Sequence, residues 1–372
     1  MSNIDAILNK FNVTLKSQIE NYKSQSKKII GLAPTFVPEE IVYAAGMIPM
    51  GIWGAEGEVT QAKQYFPAFY SSVLLRTMDL AILGELKDIE AIIIPGIDDS
   101  LKALSQNWKV SVKNVKCIYV AYAQNRKIRA GIDFNEKQFI KLKNELEEIS
   151  GNIIDNSKIE NAIVIYNQHR KNIMEFINLA SSHPITITPT IRSMVINSSY
   201  ITDKCEHSKL LEKLNEELKA IPEESYNGKR VITTGLIANS KSILDIFEKN
   251  KLYIVGDDVL HESGQFRTLV DENTKNPVKA LAKRISDIEG CMFLYDPDKK
   301  RADIIVELVK KHNADGVVYL MTKFCDSDEF DYPIIRDRLR KEEIKNILVE
   351  VDQQMTNFEQ AGTALETFAD II

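Results

Sequence analysis

The chain is poor in cysteine. Its 372 residues include four, Cys117, Cys205, Cys291 and Cys325, widely spaced and without a CxxC pair. That pattern indicates neither a disulfide framework nor a zinc knuckle. Long apolar runs are also missing, and no stretch is long enough to cross a bilayer. The opening residues, MSNIDAILNKFNVTLKSQIENYK, carry charges throughout and no apolar signal core, so the expectation is a cytoplasmic protein without membrane association. Positive charge is not in excess. The net charge of −6 removes the electrostatic case for nucleic acid. Three signatures are absent: GxGxxG after a strand, GxxxxGK(S/T) and GxSxG. No dinucleotide loop, phosphate loop or hydrolase elbow is therefore expected, and the five histidines form no nucleophile motif with Ser71.

What is present suits a globular protein of two or three domains, with 44% hydrophobic and 27% charged residues. Ile4, Leu8, Phe11, Leu15, Ile19 and Tyr22 recur at helical spacing and predict an amphipathic arm over 3–24, in an N-terminal segment 1–24. A first α/β unit follows over 25–151. Apolar, β-branched runs at 28–33, 47–53, 91–96 and 117–123 read as strands, alternating with helices near 38–45, 70–86, 99–112 and 136–150. Such alternation predicts a doubly wound parallel sheet covered on both faces. Residues 152–227 read as a helical connector, with one helix through Ile159–Ala180, another through Leu210–Ile221, and SSHPITITP breaking the segment between them. A second α/β unit spans 228–352, with strands at 228–235, 252–258, 291–296, 316–326 and 346–352. Its helices fall at 240–250, 277–287, 300–312 and 331–341. Residues 353–372 form a C-terminal helix.

Open α/β sheets bind ligands beyond the carboxyl ends of their strands. AIIIPGIDDSL (91–101) sets Asp98 and Asp99 at such an end, where Asp99 also suits a helix cap. MTKFCDSDEFDYP (321–333) holds the corresponding place in the second unit. There Cys325 lies past its strand among acids that raise a thiol pKa, a conflict a metal would relieve. GDDVLHESGQFRT (256–268) offers Asp257, Asp258, His261, Gln265 and Arg267 as cleft-lining groups able to orient a polar ligand. Cys117 and Cys291, inside apolar runs, read as packing.

Taken together, several blocks resemble the 2-hydroxyacyl-CoA dehydratase family. They are PTFVPEEIVYAAGMIPMGIWG (34–54), QYFPAFYSS (64–72), IIIPGIDDSL (92–101), QNWK (106–109), QNRK (124–127), GQFRT (264–268), MTKFCDSDEFDYP and VDQQ (351–354). The resemblance covers nearly the whole chain. Within the family it points to the smaller, β subunit of members acting on 2-hydroxyisocaproyl-CoA or phenyllactyl-CoA.

The resemblance implies two Rossmann- or flavodoxin-like units with a [4Fe–4S] cluster between them. It implies a heterodimeric hydro-lyase of anaerobic amino-acid fermentation, with a homologous cluster-bearing partner subunit, an ATP-dependent activator protein that injects one electron, and a CoA thioester substrate. In the family the thioester carbonyl becomes a ketyl radical, the hydroxyl leaves and an enoyl-CoA forms. The family's three cluster cysteines correspond here to Ser71, Asp98 and Cys325, so one thiol remains of three. Thiolates are the usual ligands of such clusters, whereas carboxylate and hydroxyl suit harder metals. The expectation is a cluster absent or abnormal in this chain, or another metal held by Asp98, Asp99 and Cys325. Three readings follow: a subunit of the dehydratase complex, a cluster-less scaffold or regulatory relative, and a stand-alone small-molecule-binding protein that closes on its ligand.

Overall fold

The computed structural model describes residues 3–372, so residues 1–2 of the expected N-terminal arm lie outside the described part. Eight strands form two parallel four-stranded sheets. The first contains β1 (Ile29–Leu32), β2 (Ile48–Gly51), β3 (Ala91–Gly96) and β4 (Lys116–Ala121) in the order β2-β1-β3-β4. The second contains β5 (Lys229–Gly235), β6 (Leu252–Val259), β7 (Gly316–Thr322) and β8 (Lys345–Val351) in the order β6-β5-β7-β8. Strand order is thus the same in both units. Each reverses direction between its first and third strands, the switch point where open sheets bind ligands.

The pattern of buried residues explains the parallel pairing. Every residue of β3 is buried, as a strand covered on both faces requires. Ile92, Ile93 and Ile94 are wholly inaccessible, each worth about 1.5–3 kcal/mol of burial. The two central strands of the second sheet come very close where β5 ends. Gly235 has φ +142° there, and a Cβ on it would lie 2.2 Å from the Leu320 carbonyl oxygen, so only glycine fits.

The element order follows the expected one, but helix 136–150 begins earlier, as Arg129–Ser150, the helix marked at 210–221 begins at Lys204, and the C-terminal helix starts only at Glu359. Four further differences have a visible cause. The N-terminal arm is not one helix: Asn3–Leu8 and a 3-10 turn end at Asn12, and Leu15–Ser24 starts afresh. Thr14 forces the restart, because it and Ser17 form a reciprocal capping box. The SSHPITITP break leads straight into a further helix, Pro189–Ser198, capped by Thr188 and carrying proline in its first turn. CMFLYD (291–296) is not a strand but a sequence of turns. Arg126 claims the segment, donating to the carbonyl oxygens of Ile285 (2.5 Å), Ser286 (2.8 Å) and Tyr295 (3.2 Å). The helix expected at 331–341 begins earlier, as Asp326–Lys341, because Asp326, Asp328 and Glu329 fill its first turn where carboxylates are favoured.

Packing does not follow the linear order of the units. The largest apolar cluster joins the first sheet, the connector helices and residues from the second unit, among them Leu236, Leu260, Phe266, Leu281 and Leu294. Two smaller clusters cover the two faces of the second sheet. Residues 260–294, within the expected second unit, therefore pack largely on the first.

Four histidines are buried, among them His169, His207 and His261. His207 stands between His169 (3.0 Å) and the Ser198 hydroxyl (2.9 Å). Burial, reinforced by Lys204, pushes its pKa down to about 3, burial pushes His261 to about 3, and His169 is held well below its ordinary value. Each is neutral when folded and titrates near 6.5 when unfolded. For His207 and His261 the contribution is complete above about pH 6.5 and is lost progressively as pH falls toward 3, and His169 acts in the same direction. Urea midpoints measured from pH 7.5 to 5 should fall steeply, and His207→Gln should flatten the profile by one proton. An unchanged slope in that variant would show His207 charged in the folded chain.

Candidate functional site

A cavity with about 360 Å³ of free space lies where the two switch points face each other. Its wall includes Pro34 beyond β1, Asp98 beyond β3, Leu236 beyond β5 and Cys325 beyond β7. Ser71 joins them from the start of helix Ser72–Ile82. The three positions singled out by the sequence therefore meet in one space.

They also share a structural role. Ser71, Asp98 and Cys325 are the N-cap residues of helices Ser72–Ile82, Asp99–Ser111 and Asp326–Lys341. Three helix amino ends thus converge on the cavity, each bringing the positive end of its dipole. Only Asp98 caps through its side chain, accepting from the Leu101 N–H at 2.7 Å. The Ser71 hydroxyl is buried and has no hydrogen-bond partner among the described residues.

Burial shifts both ionisable side chains, Asp98 and Cys325, toward their protonated forms. Burial pushes the Asp98 carboxyl up, opposed by the Leu101 N–H and helped by Asp99 and Asp326. Burial holds the Cys325 thiol well above its ordinary value, with Asp328 and Asp98 adding to the effect. A thiol so placed stays protonated and is a poor nucleophile. Asp99 is on the rim, with an exposed side chain paired to Lys102 at 2.9 Å.

The donor set tests the implied cluster. Cys325 is the single thiol lining the cavity, one oxygen of Asp98 is committed to its helix, and Ser71 offers a hydroxyl that must first lose a proton. Among the described residues, no three His, Cys, Asp or Glu side chains are grouped to hold a metal ion. The residues do not fit a thiolate-held [4Fe–4S] cluster. Of the three residues expected to hold another metal, Cys325 is buried at the cavity and Asp98 is half-buried there, whereas the Asp99 side chain is exposed and pairs with Lys102.

The acids and arginine of GDDVLHESGQFRT are not in this space. Asp257 and Asp258 belong to β6 and are buried. Asp257 pairs with Arg192, while Asp258 pairs with Arg267 (2.8 Å) and Arg301 (2.9 Å). Their charges are spent on the interior of the fold. Gln265 hydrogen-bonds Thr35 and lines a separate, small cavity. His261 packs against Trp53 and Tyr200, with ring centroids 4.6 Å away in each case.

Other wall residues were not legible in the sequence. Phe293 reaches the cavity because Arg126 ties down residues 285–295. Phe324 and Phe330 form its aromatic side; Phe330 is 78% exposed, and Phe324 has φ +61°, rare for a bulky residue. Behind Cys325, Arg301 binds Asp328 (2.7 Å), Asp258 and the Thr234 hydroxyl (3.0 Å). Tyr319 donates to the same Asp328 carboxylate at 2.6 Å. Gln353, from the VDQQ block, donates its N–H to Ser72 (3.1 Å) and its amide to the Trp53 carbonyl (2.8 Å), joining β8 to the first unit. The only sequence signal for Gln353 and for Gln124, which also lines the cavity, was their place in family-like blocks.

Comparison with known proteins gives a consistent picture. The family model described as 2-hydroxyglutaryl-CoA dehydratase, D-component, matches residues 34–372. The (R)-phenyllactyl-CoA dehydratase beta subunit of Clostridium sporogenes is 43% identical over 376 residues, covering 100% of both chains. The beta subunit of (R)-2-hydroxyglutaryl-CoA dehydratase from Acidaminococcus fermentans is 37% identical, covering 99% of each. The lactoyl-CoA dehydratase subunit beta of Anaerotignum propionicum is 35% identical over 100% of each.

Proposed function

The chain belongs to the family of 2-hydroxyglutaryl-CoA dehydratase D-components, and from that membership we propose that it is the β subunit of a radical 2-hydroxyacyl-CoA dehydratase. The reaction converts an (R)-2-hydroxyacyl-CoA to an enoyl-CoA and water. The observation that carries this reading is end-to-end similarity to three β subunits whose names share that reaction class and differ in acyl group.

The cavity chemistry refines the reading. Its wall carries Asp98, Asp99 and Asp326 but no lysine, arginine or histidine. A CoA thioester brings several phosphate charges, and no cationic side chain on this wall is there to pair with them. We therefore assign substrate binding and the cluster-based electron step to a homologous partner subunit, served by an ATP-dependent activator. This chain supplies the interface and the fold around it. No helix among the described residues is long and apolar enough to cross a membrane, in keeping with a cytoplasmic complex. The lost ligands also favour a second reading, a cluster-less scaffold that adds nothing to turnover.

Reconstitution separates the two. This chain, a cluster-bearing partner, the activator and ATP should together dehydrate a 2-hydroxyacyl-CoA, and omitting this chain should reduce turnover to background. Full activity without it would leave the scaffold reading. No complex and no activity under any combination would sink the proposed function.

A further inference from the structure

A second cavity lies apart from the first, where helices Glu39–Ala44, Asn156–Ala180, Lys204–Ala220 and Pro277–Asp287 meet. Its free space is about 20 Å³, enough for one water molecule or one ion of similar size. Glu39, Tyr166, Arg170, Lys204, Gln265 and Arg284 are on its wall.

The charges around it do not balance. Glu40 is paired with Arg170 at 2.5 Å, and Glu39 with Lys204 at 3.4 Å. Arg284 is left over. Its guanidinium donates to the carbonyl oxygens of Thr268 (2.8 Å) and Gln265 (2.7 Å), and among the described residues no carboxylate pairs with it. His169, also on the wall, is held neutral by burial. Two carboxylates thus face three cations, and Arg284 is 7% exposed. Burial, with the nearby Arg170, pulls its pKa down to about 9, which still leaves it charged at neutral pH. An unpaired buried charge is among the costliest features an interior can hold.

A second observation marks the same space. The Tyr166 hydroxyl is buried and has no hydrogen-bond partner among the described residues. An unmatched cation and an unmatched O–H donor therefore line one cavity. Water would satisfy the hydroxyl but leave the charge. A phosphate or a substrate carboxylate is too large for the space.

We infer that this cavity binds one small monovalent anion of halide size, held between the Arg284 guanidinium and the Tyr166 hydroxyl. The site is independent of the proposed dehydratase role and its cavity.

Thermal melts of the full chain, in whatever complex it purifies, test this at fixed ionic strength with chloride exchanged for gluconate. Chloride should raise the melting temperature by roughly 2 °C or more. Arg284→Met should abolish the dependence on anion. Tyr166→Phe, which removes one oxygen from a well-packed ring, should keep the fold and require several-fold more chloride for the same shift. Bromide-grown crystals should show an anomalous peak beside Arg284. Coincident melts in the two salts would overturn the assignment. So would an empty cavity in the bromide map, or occupancy seen only at molar bromide.

Discussion

Produced under strict anaerobiosis, the folded chain will hold essentially no iron or acid-labile sulfide, and the Ser71→Cys/Asp98→Cys variant will gain about four of each. The argument rests on the donors. A cubane is held by thiolates, and this cavity has one thiol, which burial and nearby acids keep protonated. Carboxylate and hydroxyl are harder donors and poor substitutes. The two substitutions restore sulfur at positions that share one cavity with Cys325. They carry a cost: Asp98→Cys removes the side-chain cap of helix Asp99–Ser111, worth about 1 kcal/mol. The single Asp98→Cys variant separates that cost from the iron readout. Four irons in the parent would refute the donor argument. No gain in a folded double variant would show that these three positions do not frame a cluster.

Arg301→Met will destabilise the chain by about 3–5 kcal/mol, the usual cost of stripping a buried ion network of its cation. Arg301 is 3% exposed and is the one cation shared by Asp258 and Asp328. Losing it leaves Asp328 with Tyr319 alone. The effect will reach the candidate site, because Asp328 is in the first turn of the helix that Cys325 caps. Cys325 should react with a small disulfide reagent faster in the variant than in the parent. The double change Arg301→Met/Asp328→Asn should recover much of the stability, since Asp328 is then uncharged and Asp258 keeps Arg267 as its partner. A loss below about 1 kcal/mol in the single variant would place this network outside the interior it is assigned to.

Much of the architecture could be read from the chain itself. β3 coincides with the apolar run 91–96, and helix Pro277–Asp287 with its expected span. Such elements are coded locally, by apolar spacing and by caps. The misreadings share one cause. CMFLYD has the composition of a strand, yet Arg126, more than 150 positions away in sequence, takes up the carbonyl groups around it. Asp257 and Asp258 looked like ligand groups because nothing nearby in sequence shows Arg192 or Arg301, which pair with them, or that Arg267 of the same block turns back onto Asp258.

The candidate site divides in the same way. The sequence by itself determined the α/β repeat, the family, and the presence of Ser71 and Asp98 at two of the three positions that the resemblance marks for sulfur donors, because these are matters of residue identity and local order. Tertiary structure alone decided that both switch points open on one cavity, that all three positions cap helices aimed into it, and that Arg284 stands unpaired beside Tyr166. Those outcomes depend on which distant charges and helix ends meet. That pairing is settled when two sheets and a set of connector helices pack against each other, and no local pattern records it.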